Sequence, residues 1–464
     1  MSVWDVILRN LPEVRAPSQK RLSFKEKLKW TLIILGLFFF LGLIPLFGLG
    51  HNALAQFEFL SVVLGAKFGA IISLGIGPIV TASIVLQLLN GSGLVKFDLN
   101  SHSGKAKFQA VQKILTLGFI IFESIIYVFM GGLAPDPALA GTALYVQLEF
   151  MIVFQMILGG IIIVFLDEVV SKWGFGSGTG LFIVAGVAES IFIRALSPMP
   201  SPNQPNIPTG AIPALFASLS QGNPIGAGIM LASVITTIFI FCLAVFLQSM
   251  KVEIPLSYGR IRGHGVRWPL NFCYANVIPV ILVSALVANM QLWARLIQGW
   301  VGHPTWFGGF SGTEAISGFV SWLQPSNLVY KALTGSIVFA DIGKGLVYLL
   351  VMMGGCVLFS VFWVQTSGMD ARSQAQNMMK SGLQIPGFRK DGRVMERLLK
   401  RYITPLTVMG GLAIGFLSAA ADLMGTLSSG TGLLLAVMII YQMYEQIAKQ
   451  HMMDMHPMMR KFME

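Results

Sequence analysis

The sequence predicts an all-α integral membrane protein of ten transmembrane helices, and three observations predict it. Composition is the first. Of 464 residues, 55% are hydrophobic and only 11% charged, with a mean hydropathy of +0.72. A soluble domain carries about 25% charged residues, so this chain cannot clothe a water-facing surface, and lipid must replace water around most of it. The second is a series of ten apolar stretches near 29–49, 69–89, 110–133, 146–167, 179–197, 225–249, 272–292, 345–366, 403–422 and 430–447. About 20 apolar residues cross a hydrocarbon core of roughly 30 Å. The third is the placement of Lys and Arg. With a cytoplasmic N-terminus, only Lys67, Arg194, Arg295, Lys331 and Lys344 of the 32 fall outside the cytoplasmic segments. Such a bias sets both termini in the cytoplasm.

Residues 1–28 form a polar, basic cytoplasmic segment with no short apolar run and cleavage site of the kind that marks a removable signal. Residues 29–197 carry spans one to five, and 225–447 carry spans six to ten. An uncharged external loop rich in Pro, Ser and Asn (198–224) divides them, and 448–464 is a Met-rich cytoplasmic tail. Five spans per half make the halves enter the membrane in opposite directions. Ser177-Gly178-Thr179-Gly180-Leu181 opens span five, and Ser429-Gly430-Thr431-Gly432-Leu433 opens span ten. The same pentapeptide at equivalent places points to an inverted repeat, which builds a pathway at its pseudo-two-fold interface.

Between spans one and two, residues 53–66 are too short to span and carry Glu58. They read as a short amphipathic or re-entrant helix. Gly75-Ile76-Gly77-Pro78 then interrupts span two. Irregular backbone at membrane depth survives only inside protein or beside a water-filled cavity, although a proline kink accounts for it equally well. Two basic cytoplasmic loops, near 250–271 and 367–402, set Arg among Gly, Tyr and Trp. Topology explains most of their charge. Arg forks also suit phosphate, so ribosomal RNA and anionic lipid headgroups both fit.

The acids within spans are few: Glu123, Glu189 and Asp422, with Asp167 and Glu168 at an edge, and no basic partner evident at their depth. Cys242, Cys273 and Cys356 lie in apolar stretches, so neither a disulfide framework nor zinc spacing is present. His451 and His456 are the one faint hint of a metal site. No nucleophile–base pattern or catalytic carboxylate pair occurs. The reading is therefore of a non-enzyme without cofactor or metal.

FKEKLKW (Phe24–Trp30), LGIGPIVTASIVLQLL (Leu74–Leu89), LDEVVSKWGFGSGTGLFI (Leu166–Ile183), VEIPLSYGRIRG (Val252–Gly263) and SSGTGLLLAV (Ser428–Val437) resemble the SecY family, most closely its archaeal members. The resemblance runs nearly the whole chain in order. It implies two inverted, pseudo-symmetric five-helix halves around a central hourglass pore, with 198–224 as the hinge. By motif, the constriction is a ring of Ile76, Val80, Thr179, Ile183, Ile281 and Leu435. Residues i and i+4 share a helix face, so Ile76/Val80 and Thr179/Ile183 each present two rungs. An apolar ring blocks ions by dewetting and binds no particular side chain. Thr179 stands where the family often has an apolar residue; with its hydroxyl bonded to its own helix backbone and its methyl presented, the ring is expected to tolerate it, with a weaker ion seal.

The resemblance further implies a plug at 53–66, with Leu54, Phe57, Phe59, Leu60 and Val63 as its apolar residues. It implies a lateral gate with Gln112 and Asn276, the latter one place from the family position, which Val277 holds. It implies ribosome contact through Arg260, Arg262 and Arg389. The implied function is passive conduction of unfolded secretory chains and lateral insertion of membrane proteins in the cell membrane, driven by a translating ribosome. The implied partners are a SecE/gamma-type and a beta-type small subunit, signal sequences, nascent chains and lipids. The competing reading is a ten-span secondary transporter with inverted repeats, which requires Glu123 or Glu189.

Overall fold

A computed structural model describes residues 12–18, 22–52, 66–91, 94–95, 97, 102–201, 204–258, 265–275, 278–311, 314–380, 383–384 and 391–455. The helices, in order, are α1 (Phe24–Gly42), α2 (Gly77–Gly91), α3 (His102–Phe129), α4 (Ala143–Trp173), α5 (Gly178–Leu196), α6 (Ala211–Ser220), α7 (Pro224–Ser249), α8 (Ile278–Val301), α9 (Leu328–Leu333), α10 (Phe339–Thr366), α11 (Ala371–Lys380), α12 (Gly392–Met424) and α13 (Gly430–Met455). Among the described residues, nine short strands pair into small sheets between them.

Among the described residues, eight helices are long and apolar enough to cross a membrane: α3, α4, α5, α7, α8, α10, α12 and α13. The other two expected spans are α1 and α2. The first opens on Lys25, Lys27 and Lys29, and the second has only 15 residues. Helix α1 starts earlier than its apolar run because Ser23 and Glu26 form a reciprocal cap. Span two is shorter than expected for a related reason. Gly75-Ile76-Gly77-Pro78 does not kink a helix but begins one. Residues 71–76 run in turns, Gly75 has φ 52°, and Val80 N–H donates to the Ile76 carbonyl at 3.0 Å.

By contact the chain divides into two compact units. One comprises 1–193, 288–321 and 439–464, the other 194–287 and 322–438. In the first, segment 66–74, α3, α4 and the second half of α8 share a core of Leu74, Ile120, Ile152, Met156, Ala288 and Leu292. Here α4 comes so near segment 66–74 that a Cβ on Gly159 would overlap the Ile71 carbonyl oxygen.

In the second unit, α12 packs against α10 through Gly411 and Gly415. A Cβ on Gly415 would stand 2.8 Å from the Met353 Cα. Small residues four apart let membrane helices approach closely.

Both basic loops are more structured than their charge suggests. Strands β5 (Lys251–Tyr258) and β6 (Gly265–Asn271) form an antiparallel hairpin. Strand β9 (Leu383–Gln384), from the other loop, joins its edge, with Ser257 opposite Gln384. Ile254 and Leu270 pack with Met378 of α11 and with Met395, Leu399 and Ile403 of α12. The segment expected to be an uncharged loop likewise holds a hairpin, β3 (Pro200–Ser201) with β4 (Gln204–Pro208), and helix α6.

Candidate functional site

The residues proposed for the constriction lie at the starts of helices. Ile76 is fully buried immediately before α2, and Val80, one turn on, is half-buried. On α5, Thr179 is half-buried and Ile183 buried. On α13, Leu435 has no exposed surface, while Ile281, in the first turn of α8, is half-buried. Ile76, Val80, Thr179 and Ile183 belong to the first unit, Ile281 and Leu435 to the second.

The repeated pentapeptides begin α5 and α13 in the same way. A helix start leaves its first amides without intrahelical partners. In α5, the Asp167 carboxylate accepts from the Thr179 amide at 2.7 Å, and Ser177 Oγ accepts from Gly180 N–H at 3.2 Å. In α13, Asp422 accepts from the Gly430 amide at 2.6 Å, and Ser429 Oγ accepts from Gly432 N–H at 3.1 Å. Each first glycine is dictated by close approach. A Cβ on Gly178 would lie 2.5 Å from the Asp167 Cα, and one on Gly430 would lie 2.5 Å from the Asp422 amide nitrogen. Tyr348 of α10 donates its hydroxyl to Asp422 Oδ2 at 2.9 Å.

Other acids also have partners that the sequence did not disclose. Glu189 of α5 pairs with Lys67 at 2.6 Å, which corrects the expectation that it stands alone. Glu123 lies within α3. Gln112 is half-buried on α3, one residue before Lys113.

The acidic turn ending α4 does two jobs. Asp167 caps α5, and Glu168 holds the chain's N-terminal segment. Glu168 Oε1 pairs with Lys113, Glu168 Oε2 accepts from Val14 N–H at 2.9 Å, and Lys113 Nζ donates to the Pro12 carbonyl at 2.5 Å. Lys172 pairs with Glu13 at 2.5 Å, and Trp173 Nε1 donates to the Arg15 carbonyl at 3.0 Å. Residues 12–15 thus strap α3 to α4. The FKEKLKW motif packs beside them: Phe24 lies 5.3 Å from Phe175, and Trp30 lies 5.6 Å from Trp173, between ring centroids.

The Lys172 hydrogen bond and charge hold the Glu13 carboxyl below its ordinary value. A lowered carboxylate pKa adds stability above the unfolded value and loses it as pH falls through the folded one. Glu13 therefore supports the strap at neutral pH and releases it in acid. Glu168→Gln removes the ion pair at the strap's centre. It is expected to speed tryptic cleavage after the exposed Arg15 by about tenfold, since a Glu168-anchored strap must open before a protease can bind it. An unchanged cleavage rate would show that these contacts do not hold the segment.

The comparisons with known proteins bear on the whole chain. A family profile described as SecY matches residues 70–444. The protein translocase subunit SecY of Methanothermobacter thermautotrophicus is 44% identical over 457 residues, covering 98% of this chain and 96% of its own. The chain belongs to the SecY family. A solved protein-conducting channel superposes on it with a TM-score of 0.80 and 40% identity, over 97% of this chain and 98% of that one. Sec61 in the canine ribosome–channel complex from the endoplasmic reticulum gives 0.78 and 39%, again over 97% and 98%. The protein is accordingly a multi-pass membrane protein and a SecY/Sec61-type protein-conducting channel subunit of the translocase, a non-enzymatic family. Family membership decides against the transporter reading.

Several SecY-type site residues lie outside the described residues: Leu54, Phe57, Phe59, Leu60 and Val63 of the plug, Asn276 of the gate, and Arg260, Arg262 and Arg389. The described strands β5 and β6 end at Tyr258 and Gly265, on either side of the first two arginines.

Proposed function

We propose that this channel passively conducts unfolded secretory polypeptides and releases membrane segments sideways into lipid. Ile76, Val80, Thr179, Ile183, Ile281 and Leu435 form its constriction. One observation carries the reading. In a chain related over its full length to protein-conducting channels, these positions are aliphatic except Thr179, and those at helix starts sit on capped, closely packed turns. An aliphatic gasket excludes ions by dewetting and offers no hydrogen bond that would select one passing side chain over another.

The plug is 53–66, and Gln112 and Asn276 belong to the lateral gate. The protein sits in the cell membrane with both termini cytoplasmic, as the Lys/Arg distribution supports. On that side, Arg260, Arg262 and Arg389 meet the phosphate backbone of ribosomal RNA, and the shared sheet of β5, β6 and β9 holds both basic loops for one partner. A SecE/gamma-type and a beta-type small subunit complete the complex, and signal sequences open it.

The test is a photocrosslinking probe at Ile76, then at Ile183, with a ribosome stalled on a secretory chain. Crosslinks to the nascent chain at both sites, lost without its signal sequence, are expected. Their absence, with a probe at Arg260 still reaching the ribosome, would show the ring to be misplaced.

A further inference from the structure

We propose that Asp167 and Asp422 are matched positioning residues that set the register of the constriction. The inference deepens the ring reading and rests on it. Each carboxylate comes from the preceding helix and accepts from an amide in the first turn of the next one, Thr179 N–H in α5 and Gly430 N–H in α13. In each, a serine hydroxyl takes a second amide. The rungs Ile183 and Leu435 follow Thr179 and Thr431 by one turn. Each lies two residues beyond its pentapeptide.

The start of a helix decides where everything after it points. Sliding the first turn by one residue moves each later side chain by about 1.5 Å along the axis and about 100° around it. Such a slip takes Ile183 or Leu435 off the face it occupies. A carboxylate at the N-terminus also complements the helix dipole. The two acids are not related by the repeat itself. Asp167 precedes Gly178 by eleven residues and Asp422 precedes Gly430 by eight, yet each reaches an amide in the first turn of the helix that follows.

The experiment measures Asp167→Asn and Asp422→Asn in the assembled complex. It reads resting ion conductance per channel in planar bilayers and amide hydrogen exchange in 178–183 and 430–435. Each variant is expected to raise the conductance by about tenfold, and exchange in its own helix start by a similar factor. Tyr348→Phe removes a contact to Asp422 but leaves the carboxylate on its amide, so it separates stability from positioning. It is expected to lower thermal stability without raising conductance. Where an aspartate variant does not assemble, Ser177→Ala or Ser429→Ala, which strips the second amide's partner, is measured instead, with the same direction expected.

Unchanged conductance in the cap variants overturns the proposal. If Leu435→Asp leaks at the same time, only the positioning role falls. If Leu435→Asp is also silent, the ring reading falls with it. A leak in Tyr348→Phe equal to that in Asp422→Asn also overturns it, since general loosening of the buried site would then suffice.

Discussion

Leu435→Asp is expected to raise the resting ion conductance of the channel by at least about tenfold and to let a precursor with a defective signal sequence pass. Leu435 has no exposed surface, one turn into a helix whose start is fixed by Asp422. A carboxylate there cannot stay dry. Burying an unpaired charge costs several kcal/mol even after relaxation, and the least costly response is to admit water. Once water is continuous through an apolar constriction, the dewetting barrier to ions is gone. A tenfold rise corresponds to a barrier lower by only about 1.4 kcal/mol, so the estimate is conservative. Single-channel recording in planar bilayers gives the answer. Ile440→Asn, at an exposed position of the same helix, controls for a polar residue near the site. A tight Leu435→Asp channel would remove Leu435 from the constriction.

Gly159→Val is expected to cost more stability than any surface change and to prevent accumulation of folded channel. A Cβ at this position overlaps the Ile71 carbonyl oxygen. The obstacle is backbone and cannot turn aside as a side chain does. Relief requires moving α4 away from segment 66–74, which opens the core around Leu74, Ile152 and Met156. Overpacking of this kind costs about 1–3 kcal/mol, and more where nothing can give. Gly118→Val and Gly354→Val test the argument on the same chemistry, because an added Cβ at either meets nothing within 4 Å. Monodisperse yield in detergent and thermal stability should fall for Gly159 alone. Equal behaviour of all three would show that the close approach is not needed.

The spans were legible because lipid imposes an apolar run on any helix that crosses it. Their ends were not, because ends are set by particular contacts. The capping pair Ser23 and Glu26 carries α1 back past its apolar stretch, and residues 272–275, which hydropathy gave to the seventh span, are turn and bend ahead of the helix that begins at Ile278. The hairpin could have been read. Val252 and Ile254 alternate with exposed Glu253 and Pro255, and Trp268 and Leu270 with exposed Arg267 and Pro269. The density of Arg hid the two-residue period. The pentapeptide repeat was visible, but the acids that cap it were not. They stand at different offsets, so comparison of the two repeats does not pair them. Lys67 and Glu189 lie 122 residues apart, a separation no local pattern spans.

The small core beneath the hairpin has a mechanical consequence. Ile254 and Leu270 share side-chain contacts with Met395, Leu399 and Ile403. Those three belong to a helix that continues unbroken to Met424, about 50 Å at 1.5 Å per residue. Packed interiors transmit displacement rather than absorb it. A displacement of β5 and β6 is therefore expected to reach, along one rod, Asp422 and the amide it holds. Pro405, which lacks one internal hydrogen bond, is the soft point along the way, and its stiffness sets how much of the motion arrives at the start of α13.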